Sequence, residues 1–146
     1  PGFTGLAAPY WASDFPDIYE GIDTSDPNDM IRAGMESIGF LTYDILEQMK
    51  PIATSWPKKL TASGGGSRSP LLQFIADLTN LPVCHSTMKD RTAYGVYQLI
   101  RPKEKNLSKF EESYFNLTFH PSLAKDQQKS KVNCWHKALE NAGLIK

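Results

Sequence analysis

Residues 60–83 read LTASGGGSRSPLLQFIADLTNLPV, with Gly64, Gly65 and Gly66 between a short apolar run and an amphipathic segment. Glycine has no Cβ, so it permits positive φ and lets another group approach the main chain closely. A strand that feeds a helix through such a turn suits anions and nucleotides, because the first N–H groups of the helix point outward. The turn matches neither common phosphate loop. No Gly-Lys-Ser/Thr follows it, as a Walker A loop requires, and Ser69 stands where the third glycine of GxGxxG belongs. Taken alone, the triplet reads as a tight turn needing positive φ. Ser69 then caps the next helix, with Pro70 in its first turn.

Outward from the turn, the chain alternates element types. Residues 59–63 fit a strand that ends at the glycines, and residues 70–79 fit a helix lined by Leu71, Phe74 and Leu78. Residues 81–86 read as a second strand and 92–100 as a third helix. Before the turn, Ser25 or Asp26 can cap a helix whose first turn holds Pro27 and Asp29. Ile31, Met35, Ile38, Thr42, Ile45 and Met49 recur at steps of three and four, which marks the expected buried face as far as about Lys50. Residues 1–24 read as loop with a short strand near 18–22. An extended piece is expected at 115–119. A last helix then starts near Ser122, carries Val132, Trp135, Leu139 and Ala142 on one stripe, and stops at Gly143. This order implies right-handed crossovers and a layered α/β fold.

Bulk properties narrow the function classes. The chain has 146 residues, enough for one domain with its own core. Sixteen basic residues balance sixteen acidic ones, so no overall field draws nucleic acid or an anionic membrane. The lysines of 103–137 are interleaved with Glu104, Glu111, Glu112 and Asp126, a solvated surface. No apolar run approaches the roughly 20 residues of a membrane span. The opening PGFTGLAAPYW lacks a signal-peptide pattern and reads as a piece cut from a longer protein. Cys84 and Cys134 are far apart with no CxxC, which favours two buried reduced thiols in a cytoplasmic protein and leaves a disulfide open. The sequons at Asn106 and Asn116 carry no weight without secretion.

The flanks of the glycines say more than their spacing. SGGGSRSPLLQFIAD followed by LTNLPV resembles the GGGxxSPLxxQxxAD motif of the FGGY carbohydrate kinases, in their C-terminal domain. FTGLAAPYW (residues 3–11) is similar to the FTGLGAPYW stretch of the glycerol-kinase type. IRAGMESI (31–38) is similar to the family's IxRAxxESI helix, and Thr92-Ala93-Tyr94-Gly95 echoes its TALGAA helix start. The four motifs stand in family order over residues 3 to about 100.

The resemblance implies an α/β, ribonuclease H-like (actin-like ATPase) fold in which two domains close on ATP and a polyol or sugar. This chain would be most of the second domain: a cleft loop over 1–24, a core over 25–100, and a connection with a closing helix over 101–146. Gly64, Gly65 and Gly66 would wall the adenosine pocket, and Ser69 is the nearest match to the small polar residue beyond the turn. ATP and Mg2+ would both need the N-terminal domain, as would the sugar. The family's base lies before the FTGL loop and its metal-holding Asp in the first domain, so no residue here is assigned to catalysis or to a metal. The isolated fragment is therefore expected to be inactive.

Residues open to other readings are given structural roles. Asp14, Asp17 and Asp23 suit turns and caps, Asp77 a structural hydrogen bond, Glu36 an ion pair or a backbone contact, and Tyr10-Trp11 either the cleft floor or the core. His85, His120 and His136 are too dispersed to suggest a metal site. Ala12, the Phe15-Pro16-Asp17 step, Ser63, and the Tyr97 ring on the TALGAA-like helix depart from the family pattern. Two readings stay open: a divergent kinase, or a non-catalytic nucleotide-sensing or interaction module that kept the fold.

Overall fold

The computed structural model describes residues 5–13, 15–100 and 114–145. Phe3, Thr4, Asp14, Lys103, Glu104, Glu111, Glu112 and the sequon at Asn106 lie outside them.

Helix α1 spans Pro27–Met49 and runs into a short 3-10 turn at Lys50–Ile52. Asp26 caps it, accepting from the Asn28 N–H at 2.8 Å, with Pro27 in the first turn and Asp29 near the positive end of the dipole. Ser25 is engaged elsewhere: its N–H and hydroxyl both donate to Asp23. The buried face of α1 is not the expected stripe. Ser37, Gly39, Phe40 and Asp44 are buried, whereas Ile31 is 63% exposed and Ile38 and Met49 are exposed as well. At 100° per residue, Ser37, Phe40 and Asp44 stand about 120–180° round the helix from that stripe. Gly39 lets Phe74 of the next helix come close there, and Phe40 supplies the ring that fills the core.

Strand β1 (Leu60–Ala62) leads through the glycine turn to α2 (Ser69–Thr79), which returns to β2 (Val83–Ser86). β1 and β2 are parallel, with Leu60 beside Val83 and Ala62 beside His85. β3 (Phe115–Phe119), at the expected extended piece, pairs antiparallel with β2 on its other side. Leu71, Leu72, Ile75 and Ala76 of α2 cover the sheet face made by Leu60, Ala62, Val83 and Phe119. The opposite side of α2 presents Leu78 to Phe40 of α1 and Val132 of the last helix, building a second core cluster with Tyr43, Phe74 and Trp135.

Helix α3 (Arg91–Ile100) follows β2 and is capped by Asp90, which accepts from the Ala93 N–H at 2.9 Å. Helix α4 (Lys125–Asn141) begins later than Ser122, because Ser122 is held by Asp77. Asp77 Oδ1 accepts from the Ser122 N–H (2.7 Å), the Ser122 hydroxyl, the Leu123 N–H and Gln73 Nε2, so its structural role stands. Val132 and Leu139 of the predicted stripe are buried. At its end, Leu144 N donates to Leu139 O and Gly143 N to Glu140 O, the two bonds of a Schellman motif.

Three further expectations are corrected. No strand forms over 18–22; the order in that loop is a bridge between Leu6 and Ala12, which pairs the loop with itself. Of the two free cysteines, Cys84 is buried and Cys134 is exposed, since Cys134 falls off the buried Val132–Leu139 stripe of α4. Of the aromatic pair, Tyr10 turns inward while Trp11 is 77% exposed at a φ of 55°.

Candidate functional site

The chain leaves β1 at Ala62 and turns at Gly64, whose φ is +96°. Two bonds close the turn: Ser67 N donates to Gly64 O at 3.2 Å and Arg68 N to Gly66 O at 2.8 Å. Gly64 is thus the one glycine of the triplet that the backbone requires. Gly65 and Gly66 have ordinary φ, and a Cβ added to either meets nothing within 4 Å. The tight turn needing positive φ is present, and Gly64 is the residue that supplies it.

Ser69 does not cap α2. The N-cap is Arg68, in extended conformation, and no side chain accepts from the first N–H groups of the helix. The turn bonds place Arg68 at the helix boundary, so Ser69 becomes the first helical residue and the helix start carries no side-chain cap.

A groove of about 330 Å³ runs between Gly64 and Gly65 on one side and the turn at 85–89 on the other. It opens where β1 and β2, neighbouring parallel strands, reach their C-terminal ends, the place where open α/β sheets bind ligands. The structure brings Gly64 and Gly65 into this groove; Gly66 and Ser69 do not line it.

A second polar centre escaped the sequence reading. Asp44 of α1 is 5% exposed, and its carboxylate accepts from Tyr10 Oη (2.8 Å) and Trp135 Nε1 (2.6 Å) on one oxygen and meets His136 Nε2 (2.7 Å) on the other. One buried carboxylate thereby ties the 5–13 loop and α4 to α1. The available signal was its position in helical register with Ser37 and Phe40. Glu36, two turns earlier on α1, makes the expected ion pairs, with Arg32 at 3.4 Å and Lys131 at 3.7 Å. A hollow of about 280 Å³ lies between Glu36, Lys131, Ile18, Tyr19 and Cys134.

Burial, and then its bond to the Asp44 carboxylate, push the Tyr10 phenol well above the ordinary tyrosine range. Because the folded value is raised, the contribution of Tyr10 to stability is whole below the ordinary value of about 10 and drains away as pH climbs past it. Urea denaturation at about pH 9 and about pH 11 should show the advantage of the native chain over Tyr10→Phe shrinking with pH. An advantage independent of pH would refute the buried, carboxylate-bonded state of the phenol.

Among the described residues, no three of His, Cys, Asp and Glu come together as a metal site. No helix among them is long and apolar enough to cross a membrane.

The geometry defines a mixed α/β domain with its groove at the carboxyl ends of parallel strands. Residues 1–99 match the model of the FGGY family of carbohydrate kinases, C-terminal domain, and the chain belongs to that family. It is 33% identical to the glycerol kinase of Janthinobacterium sp. (strain Marseille) over 97% of its own length and 30% of that relative. Glycerol kinase 1 of Thermotoga maritima is 39% identical over 66% of this chain and 20% of the relative. Among solved structures, Plasmodium falciparum glycerol kinase with ADP superimposes with a TM-score of 0.75 at 26% identity, covering 100% of this chain and 30% of that one. A ligand-bound xylulose kinase from Lactobacillus acidophilus gives 0.64 at 20% identity over 97% of this chain and 30% of its own. The α/β, actin-like fold expected from the sequence is the fold observed. The matches span about 20–30% of these relatives' length.

Proposed function

We propose that this chain is the nucleotide-binding wall of an ATP-dependent carbohydrate kinase, with a polyol or sugar hydroxyl as the acceptor. The observation that carries this reading is Gly65. Neither its φ nor any neighbouring atom excludes a side chain, yet it faces the groove bare. A flat ligand resting on the main chain accounts for that, and a nucleobase with its ribose is such a ligand. The uncapped start of α2, with its outward N–H groups, adds a favourable field for the attached phosphates.

Bound ATP would supply the γ-phosphoryl group, and the residues here would bind and orient its nucleoside end. Orientation is a large share of what a phosphoryl-transfer site contributes. Among the described residues no Asp or Glu lines the groove, and Mg2+ is assigned to none of them. The base, the metal site and most of the sugar pocket are assigned to the rest of the protein.

The test is Gly65→Val. A Cβ at this position meets nothing within 4 Å, so the melting temperature should stay within about 2 °C of native. Affinity for ADP, followed by amide chemical shifts, should fall at least about tenfold. Unchanged affinity would remove the glycine wall from the nucleotide site.

A further inference from the structure

We infer that Lys89, on the wall facing the glycines, binds the phosphates of the nucleotide and makes the groove prefer nucleotides to nucleosides; this rests on the nucleotide reading above. That wall is fixed in place. The Ser86 hydroxyl, in a residue 2% exposed, accepts from Met88 N at 3.3 Å and from Arg91 Nη1 at 3.1 Å. Thr87 donates to Tyr114 O through both its N–H (2.8 Å) and its hydroxyl (3.0 Å). The turn is thus held at every step from 86 to 88, and Lys89 projects from a stiff base.

Charge in the groove is one-sided. Among the described residues, Lys89 is the only Lys or Arg on the lining, and no Asp or Glu lines it. The neighbouring acid, Asp90, is engaged at the cap of α3. Arg91 is committed to Ser86 and lies 5.7 Å above the Phe115 ring. Lys89 itself is exposed. About 330 Å³ stands at the lower end of the roughly 300–1,000 Å³ of small-molecule sites. It suits a nucleoside and leaves the phosphates at the mouth. A lysine ammonium at that mouth is a point charge suited to them.

The experiment titrates adenosine, AMP and ADP into the full-length protein, native and with Lys89→Gln or Lys89→Arg, with calorimetry as the readout. Lys89→Gln should weaken ADP about three- to tenfold, leave adenosine within about twofold, and be rescued by Lys89→Arg. Equal losses for ADP and adenosine, or no loss for ADP, would overturn the role of Lys89 while the groove still binds. A native full-length protein that binds none of the three would overturn the nucleotide reading, and the lysine's role with it.

Discussion

Asp44→Ala should cost about 3–5 kcal/mol of folding stability, the range for removing one member of a buried charged network. The carboxylate is the shared acceptor of Tyr10, Trp135 and His136, and without it all three donors lose a partner at once. Each unsatisfied donor costs about 1–3 kcal/mol when water cannot reach it, and the half-exposed His136 recovers part of its share. Since whole domains are stable by about 5–15 kcal/mol, this loss is a large fraction of the total. Asp44→Asn should fall between native and alanine, because it keeps one acceptor oxygen but turns an amide N–H2 toward donors. Tyr10→Phe combined with Asp44→Ala should cost less than the sum, since the two changes break the same bond. Urea denaturation checks all of these. A loss under about 1 kcal/mol for Asp44→Ala would mean that the network adds no net stability.

Gly39 and Gly95 are both helical glycines, and substitution should move stability in opposite directions. A Cβ at Gly39 would lie 2.5 Å from Cδ1 and 2.8 Å from Cε1 of Phe74. That ring has little freedom to retreat. It meets Phe40 edge-on at 5.2 Å, Phe40 stacks on Trp135, and Lys131 lies over the Phe74 ring. Gly39→Ala gains about 1 kcal/mol of helix propensity but incurs an overpacking cost of about 1–3, for a net loss. Gly39→Val adds two more carbons and stiff branching, so its loss should reach about 3 kcal/mol. At Gly95 a Cβ meets nothing within 4 Å, and Gly95→Ala should gain up to about 1 kcal/mol. Thermal melts of the three variants decide the matter. Stabilisation by Gly39→Ala would refute the close packing of α1 on α2.

Where an element's cause is local, the sequence carried it. The Asp-Pro start of α1, the alternation around the glycines, the extended 115–119 piece and the Gly143 stop all appear as read. Asp77 and Glu36 were legible because helical spacing and residue chemistry left few other uses for them. What escaped depends on partners far along the chain. Apolar periodicity picked the Ile31–Ile38 side of α1, but the packing face follows Phe74 and Trp135, the latter 95 positions beyond Phe40 (135 − 40). Asp44 was invisible for the same reason: its donors stand 34, 91 and 92 positions away. The glycines were noticed at once, yet only coordinates separate Gly64, bent by its own backbone, from Gly65, bare with no internal cause. Ser69 was misread as a cap because Ser-Pro marks a helix start without fixing which residue is its first.

The contrast between the two thiols has a practical use. Cys84 lies within the sheet, while Cys134 sits on the solvent side of α4 next to Trp135. A maleimide dye therefore has one accessible anchor without engineering. Its emission, quenched by the adjoining indole, would follow movements of the closing helix in real time.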